Sequence, residues 1–219
     1  MRRTITSLSL MLMVLLFNTG SARGQFDPGY ISVRPEFGLG MGNTFGVTFG
    51  GALNYDITET VAVGPFFSFS TAGRSWKTQG QEQTLETKGS NSMAFGGRIY
   101  YLVTPDSDYP WYVNGGAGVV RFGSVSEWDD GTKIQAQVGG QVEELEIKGA
   151  TRMAVNFGTG TLFPIGDDLT LVIDANSYIG GQGDRKGKSQ SQDDLDLNEL
   201  FEGGTFWLLH FTVGLSFYL

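Results

Sequence analysis

Bulky apolar residues recur at every second position in eight separate stretches of the chain, with small or polar residues between them. A period of two sends the two sets to opposite faces of a β-strand, whereas a helix would space them three or four apart. In Tyr30–Met41, the residues Ile31, Val33, Pro35, Phe37, Leu39 and Met41 share one face, opposite Ser32, Arg34, Glu36, Gly38 and Gly40. The pattern repeats in Phe45–Ile57, Val61–Thr71, Met93–Val103, Trp111–Phe122, Arg152–Phe163, Leu169–Ile179 and Phe206–Leu219, most weakly in the fifth stretch, where Gly115, Gly116 and Gly118 interrupt it. Each predicted strand is 11 to 14 residues long, and a tilted strand needs roughly 9–11 to cross a bilayer.

The connections alternate in length. Thr58–Thr60, Thr104–Pro110 and Pro164–Asp168 are short; Ala72–Ser92, Gly123–Thr151 and Gly180–Thr205 are long; Gly42–Thr44 is the one short link where a long one is expected. Short turns at one end and longer loops at the other are the habit of bacterial membrane barrels. The expected fold is therefore all-β, one eight-stranded antiparallel transmembrane β-barrel, with both termini periplasmic and the long loops outside.

Alternation alone does not say which face is inside, because a soluble barrel alternates as well. Charge decides. The eight stretches hold only seven charged residues, Arg34, Glu36, Asp56, Arg98, Arg121, Arg152 and Asp174. The face opposite the apolar one is mostly Gly, Ala, Ser, Thr and Asn, which fit a lumen only wide enough for side chains. Water-facing strands have no reason to shed charge, whereas lipid-facing ones do, since Arg or Lys at mid-bilayer costs about 2–4 kcal/mol. Aromatics near strand ends, namely Tyr30, Tyr55, Tyr101, Trp111, Phe163, Trp207, Phe217 and Tyr218, suit interfacial girdles.

Three segments carry a family resemblance: Leu53–Gly64 as a strand–turn–strand unit, Tyr100–Leu102 followed by Pro110–Gly118 as a second, and the terminal strand ending Phe211–Leu219. They resemble the small outer-membrane barrels related to the transmembrane domain of outer membrane protein A and to outer membrane protein X. The last segment is similar to a C-terminal assembly signal, departing from it by ending in Leu219 and keeping its aromatic at Phe217. The resemblance implies an outer-membrane location, insertion by the barrel-assembly machinery, contact with outer-membrane lipid and lipopolysaccharide, and an interior ion-pair plug.

Residues 1–24 read as a secretory leader, with Arg2 and Arg3 before the apolar run Ile5–Phe17 and small residues up to Ala22, leaving 25–219 as the barrel domain. The chain has no cysteine and one histidine, which removes disulfides, thiolate sites and histidine-rich metal centres. No cofactor or metal is expected. A net charge of −8 argues against nucleic acid as a partner.

The candidate polar cluster is Arg34, Glu36, Arg98, Asp174 and His210, all on the predicted lumen face. Buried charges should pair, either as a static plug or as a gate for small ions. His210 is placed near the outer end of the last strand. A lone histidine is weak support for a catalytic triad, and an interior His bonded to Asp or Asn on a facing strand is the plainer expectation. Among the loops, Lys133–Val138 and Gln141–Lys148 around Gly139-Gly140 predict an outward hairpin, Asp193–Phe201 a short helix, and Gly187–Gln192 a polar, mobile segment. The expected role is that of a non-enzymatic structural or surface-interaction protein whose loops meet an extracellular protein partner. A narrow channel and, further off, a lipid-modifying enzyme are the alternatives.

Overall fold

The computed structural model describes residues 26–78, 85–138, 140–166, 168–181, 183–201 and 204–219; the expected leader at 1–24 lies outside them. Thirteen strands form among the described residues: β1 (Ile31–Met41), β2 (Phe45–Asp56), β3 (Val61–Ser70), β4 (Ser92–Leu102), β5 (Trp111–Phe122), β6 (Gln135–Val138), β7 (Gln141–Glu144), β8 (Glu146–Ile147), β9 (Ala150–Pro164), β10 (Leu169–Gly181), β11 (Lys186–Lys188), β12 (Asp193–Asp196) and β13 (Thr205–Tyr218). Eight of them close a barrel in the order β1-β13-β10-β9-β5-β4-β3-β2, and the neighbouring strands run antiparallel. These are the eight alternating stretches, each bounded within two residues of its sequence-derived limits. The pairing of β1 with β13, Phe37 opposite Val213 and Gly40 opposite His210, removes the free edges.

Burial follows the alternation with the apolar set outside. Phe37 is 64%, Ile99 59% and Phe211 47% exposed, while Arg34, Arg98, Asn156 and Asp174 are buried. A continuous apolar belt of this kind would be an aggregation surface in water; in a bilayer it faces acyl chains. Tyr30, Tyr55, Tyr101 and Trp111 lie exposed at the end that carries the termini, and Trp207 lies exposed at the other end. Tyr218 departs from its expected girdle position: it sits on the inward register of β13 and its hydroxyl meets Asp56 at the barrel mouth.

Inside the wall, apolar residues lie at both ends. Phe26, Ala62, Leu102, Leu162 and Val172 pack with Tyr100 and Tyr112 at the terminal end. Phe66, Val120, Phe122, Phe206 and Leu208 pack with Tyr178 at the other. The polar residues of the lumen lie between them.

The long loops form a second body, here called the cap. The expected hairpin is present as β6 paired with β7. The sheet β12-β11-β8 joins two loops that are distant in sequence, through Gly187 opposite both Ile147 and Leu195. Bridges from Thr87 to Trp128 and from Thr78 to Phe201 bring in the third loop. Beneath these contacts Trp76, Val125, Ile134, Leu145, Ile147, Leu197 and Phe201 form an apolar core. The short helix expected at Asp193–Phe201 does not form: Asp193–Asp196 is β12, followed by one turn in which Leu200 and Phe201 donate to the Leu197 carbonyl. Pairing with β11, together with burial of Leu197, outweighs a helix too short to be stable by itself. Part of the segment expected to be mobile, Gly187 and Lys188, is drawn into β11 by the same pairing.

Candidate functional site

Facing residues on β1 and β10 bring the first charge cluster together. Arg34 and Glu36 are two apart on β1 and so share the lumen face; their Nε and Oε1 atoms are 2.7 Å apart. Asp174 reaches the same guanidinium from β10, with Oδ2 3.0 Å from Nη2. Arg34 Nη1 also donates to the Tyr112 hydroxyl at 3.1 Å and Nη2 to that of Tyr100 at 3.2 Å, on β5 and β4. One cation thus ties together four strands and two carboxylates. The site is cramped because a side chain is missing: a Cβ on Gly160 would fall 2.5 Å from the Tyr112 hydroxyl oxygen and 2.7 Å from Asp174 Oδ1.

Arg98 belongs to a separate cluster. Its Nε donates to Asn156 Oδ1 at 3.1 Å and its Nη2 to the Tyr178 hydroxyl. Its guanidinium lies 4.0 Å from the Phe66 ring centroid, a cation–π contact that desolvation strengthens. The expectation of a single five-residue cluster therefore divides in two: Arg34 pairs with Glu36 and Asp174, whereas Arg98 is satisfied by neutral and aromatic groups. Tyr100, Tyr112 and Tyr178 complete the site. They were not predicted, although their inward parity on β4, β5 and β10 is readable from the alternation.

His210 faces the lumen as expected, but within the wall, opposite Gly40 and Asn176, and not at the rim. Its Nδ1 lies 3.1 Å from Ser68 Oγ on β3, not against an Asp or Asn. The Tyr178 ring packs beside it, tilted, with the ring centroids 5.0 Å apart. A serine beside a histidine has the form of a nucleophile and base, but the residues are 6% and 2% exposed, and His210 Nε2 has no hydrogen-bond partner among the described residues. The pair lies inside the packed barrel, without a carboxylate to orient the imidazole. Among the described residues no group of acidic or histidine side chains is arranged to hold a metal.

Side chains from non-neighbouring strands thus meet inside the barrel: Arg34 with Tyr100 and Tyr112, Arg98 with Asn156 and Tyr178, His210 with Ser68, and Phe122 with Phe206 at 5.0 Å between ring centroids. This defines the class: an eight-stranded transmembrane β-barrel of the outer-membrane type, with a lumen bridged by its own side chains.

Known structures agree at the level of fold. The chain is similar to a major outer membrane protein from Thermus thermophilus, at 13% identity over 86% of this chain and 99% of that one, with a TM-score of 0.60. It is similar to the outer membrane protease OmpT from Escherichia coli, at 9% identity over 92% and 99% with a TM-score of 0.52. It is also similar to Neisserial surface protein A, at 10% identity over 86% and 95% with a TM-score of 0.50. No protein-family model and no curated protein matches the sequence.

Proposed function

We propose that this chain is an integral outer-membrane protein with a static, plugged lumen that acts at the cell surface through its cap, without chemistry of its own. The observation that carries the reading is the contrast between a lumen crossed by bonded side chains and three loops gathered on a shared apolar core. An eight-stranded barrel has an interior just wide enough for side chains, and here those side chains hold one another. The asymmetry of short turns and long loops supports a periplasmic position for the termini and an outward cap. The flanks would meet outer-membrane lipid and lipopolysaccharide, the barrel-assembly machinery would insert the chain, and the cap would meet an extracellular protein. The protease activity named for OmpT is not carried over, because the one serine–histidine contact here is buried in the wall.

Two measurements on one preparation test the reading. Purified protein in planar bilayers should give no discrete conductance steps; reproducible steps from the wild type would replace the plug with a narrow channel. The chain has no cysteine, so single cysteines can be placed cleanly. Gln141→Cys in the cap hairpin should react with a membrane-impermeant maleimide on intact cells, and Asp106→Cys in a short turn should not. The reverse result would invert the orientation and remove the surface role.

A further inference from the structure

Where the cap meets the barrel rim there is a cavity of about 350 Å³. Its apolar walls come from Trp76, Phe122 and Ile147, and its charged lining from Arg74, Lys148, Arg152, Arg185, Lys186 and Asp184. Five cations against one acid is the opposite of the chain as a whole, whose net charge is −8. These cations come from three loops and the start of β9, and the cap folds them together; only Arg185 and Lys186 are adjacent in sequence.

Two of the arginines are held in the wall with donors to spare. Arg74 is 9% exposed, its Nε has no hydrogen-bond partner among the described residues, and its guanidinium lies 5.7 Å from the Trp76 ring centroid. Arg185 likewise keeps Nε and Nη1 buried and without partners among the described residues. Burial, reinforced by the charges of Arg185 and Arg152, pulls the Arg74 guanidinium down to about 10; the cations repel one another across the cavity. Arg152 is oriented by donating to the carbonyls of Thr151 and Asp184. The turn that brings Asp184 in depends on Gly183, which has φ of +59° and a hypothetical Cβ 3.0 Å from Arg152 Cζ.

A buried guanidinium such as that of Arg74 is costly without an anion, and the planar forks of Arg74 and the half-buried Arg185, whose charge Asp196 and Asp184 partly offset, match the oxygens of a phosphate. We propose that this cavity is a binding site for a phosphate group, with Arg74 and Arg185 as its principal ligands and Lys186 at its mouth. The volume admits a phosphate with a small organic substituent, at the low end of ligand pockets. The phosphate could be carried by a free phosphoester or by a membrane lipid headgroup, and the site itself is independent of which way the cap faces.

Calorimetric titration of the full chain in a zwitterionic detergent, at constant ionic strength, tests this with inorganic phosphate as the probe. A saturable heat is expected, weakened at least tenfold by Arg74→Met and by Arg185→Met. Lys133→Met, which changes a cap lysine outside the cavity, should leave it within twofold. A second arm reconstitutes the protein in phosphatidylcholine nanodiscs with or without phosphatidate and counts tightly retained phosphatidate by native mass spectrometry. Retention by wild type and not by Arg74→Met assigns the phosphate to a lipid; heat with inorganic phosphate and no retention assigns it to a soluble ester. Should Arg74→Met fail to fold, Lys186→Met at the exposed mouth is expected to weaken binding about threefold. Neither saturable heat nor retention, or equal losses from Lys133→Met and Arg74→Met, would overturn the proposal.

Discussion

In the barrel, Phe37, Ile99 and Phe211 point outward while Arg34, Arg98 and Asp174 point inward; in the cap, Ile134, Ile147 and Leu197 point inward while Lys88, Glu127 and Lys133 lie at the surface. The two regions lie on one chain and share strands and register rules, yet their polarity is reversed. The difference teaches that the solvent outside, and not strand formation, decides which face of an alternating segment is buried. Lipid demands an apolar exterior and leaves the polar set to satisfy itself inside. Water makes the ordinary demand, and the cap answers it with an apolar centre and exposed ion pairs worth little individually.

The largest effect should come from breaking the inside of the barrel. Arg34→Met removes the one cation between Glu36 and Asp174, leaving two buried carboxylates 2.7 and 3.0 Å from where its nitrogens were. Loss of one partner from a buried ion pair typically costs about 3–5 kcal/mol. The urea midpoint of the barrel in lipid vesicles, followed by its heat-modifiable mobility on gels, should fall accordingly. Neutralising the carboxylates as well, by Glu36→Gln and Asp174→Asn, should recover most of the loss. A change under about 1 kcal/mol in the single variant would mean that the lumen is wet enough to solvate the acids, and the low-dielectric account would be lost.

The outside of the barrel comes next. Phe211 lies midway along β13, opposite Leu39 on β1 and Ala175 on β10. Phe211→Arg places a charge against acyl chains and should cost about 2–4 kcal/mol in the same assay. A neutral outcome would contradict a lipid-facing position for that side of the strand.

Why the barrel was readable and, beyond its β6–β7 hairpin, the cap was not follows from the same contrast. Each barrel strand declares itself locally, because residues such as Val33, Phe37 and Leu39 alternate over a full span and the partner strand is the next one in sequence, apart from β5 with β9, β10 with β13 and the closing β1 with β13. The lumen face of Arg34, Glu36, Arg98, Asp174 and His210 followed from parity together with the scarcity of charge in the strands. What parity cannot give is distance across the barrel, so the division of those residues into two clusters and the contact between His210 and Ser68 were out of reach. The cap core depends on Trp76, Ile134, Ile147 and Leu197 meeting from three loops. Each lies among polar residues, alone or with one or two apolar neighbours, a signal that something is buried but not against what. The basic cavity is hidden for the same reason, its arginines being spread over the chain.

The smallest effect belongs to the cap surface, and it is set by pH. Glu127 accepts from Lys133 Nζ at 2.9 Å and from Lys88 Nζ at 3.4 Å, joining two loops. The hydrogen bond and charge of Lys133, with those of Lys88, hold its carboxyl below the usual carboxylate range. Lys133 is correspondingly held above the usual ammonium range. A carboxyl depressed on folding contributes stability that is fully present above its unfolded pKa and is lost as pH falls through the folded one. The contribution is therefore intact at neutral pH and disappears on acidification below the ordinary glutamate range. Because Lys88 and Lys133 are exposed and Glu127 is only half-covered, the loss should loosen the cap without touching the barrel. Hydrogen exchange at the Trp128 and Lys88 amides, which donate to Thr132 and Glu127 carbonyls, should lose protection in acid once the intrinsic slowing of exchange is corrected for, while amides of β13 stay protected. Glu127→Gln should already show lower protection at neutral pH and should lose less of it on acidification. If the variant and the wild type respond to acid alike, the bridge contributes nothing measurable and the apolar core alone holds the cap together.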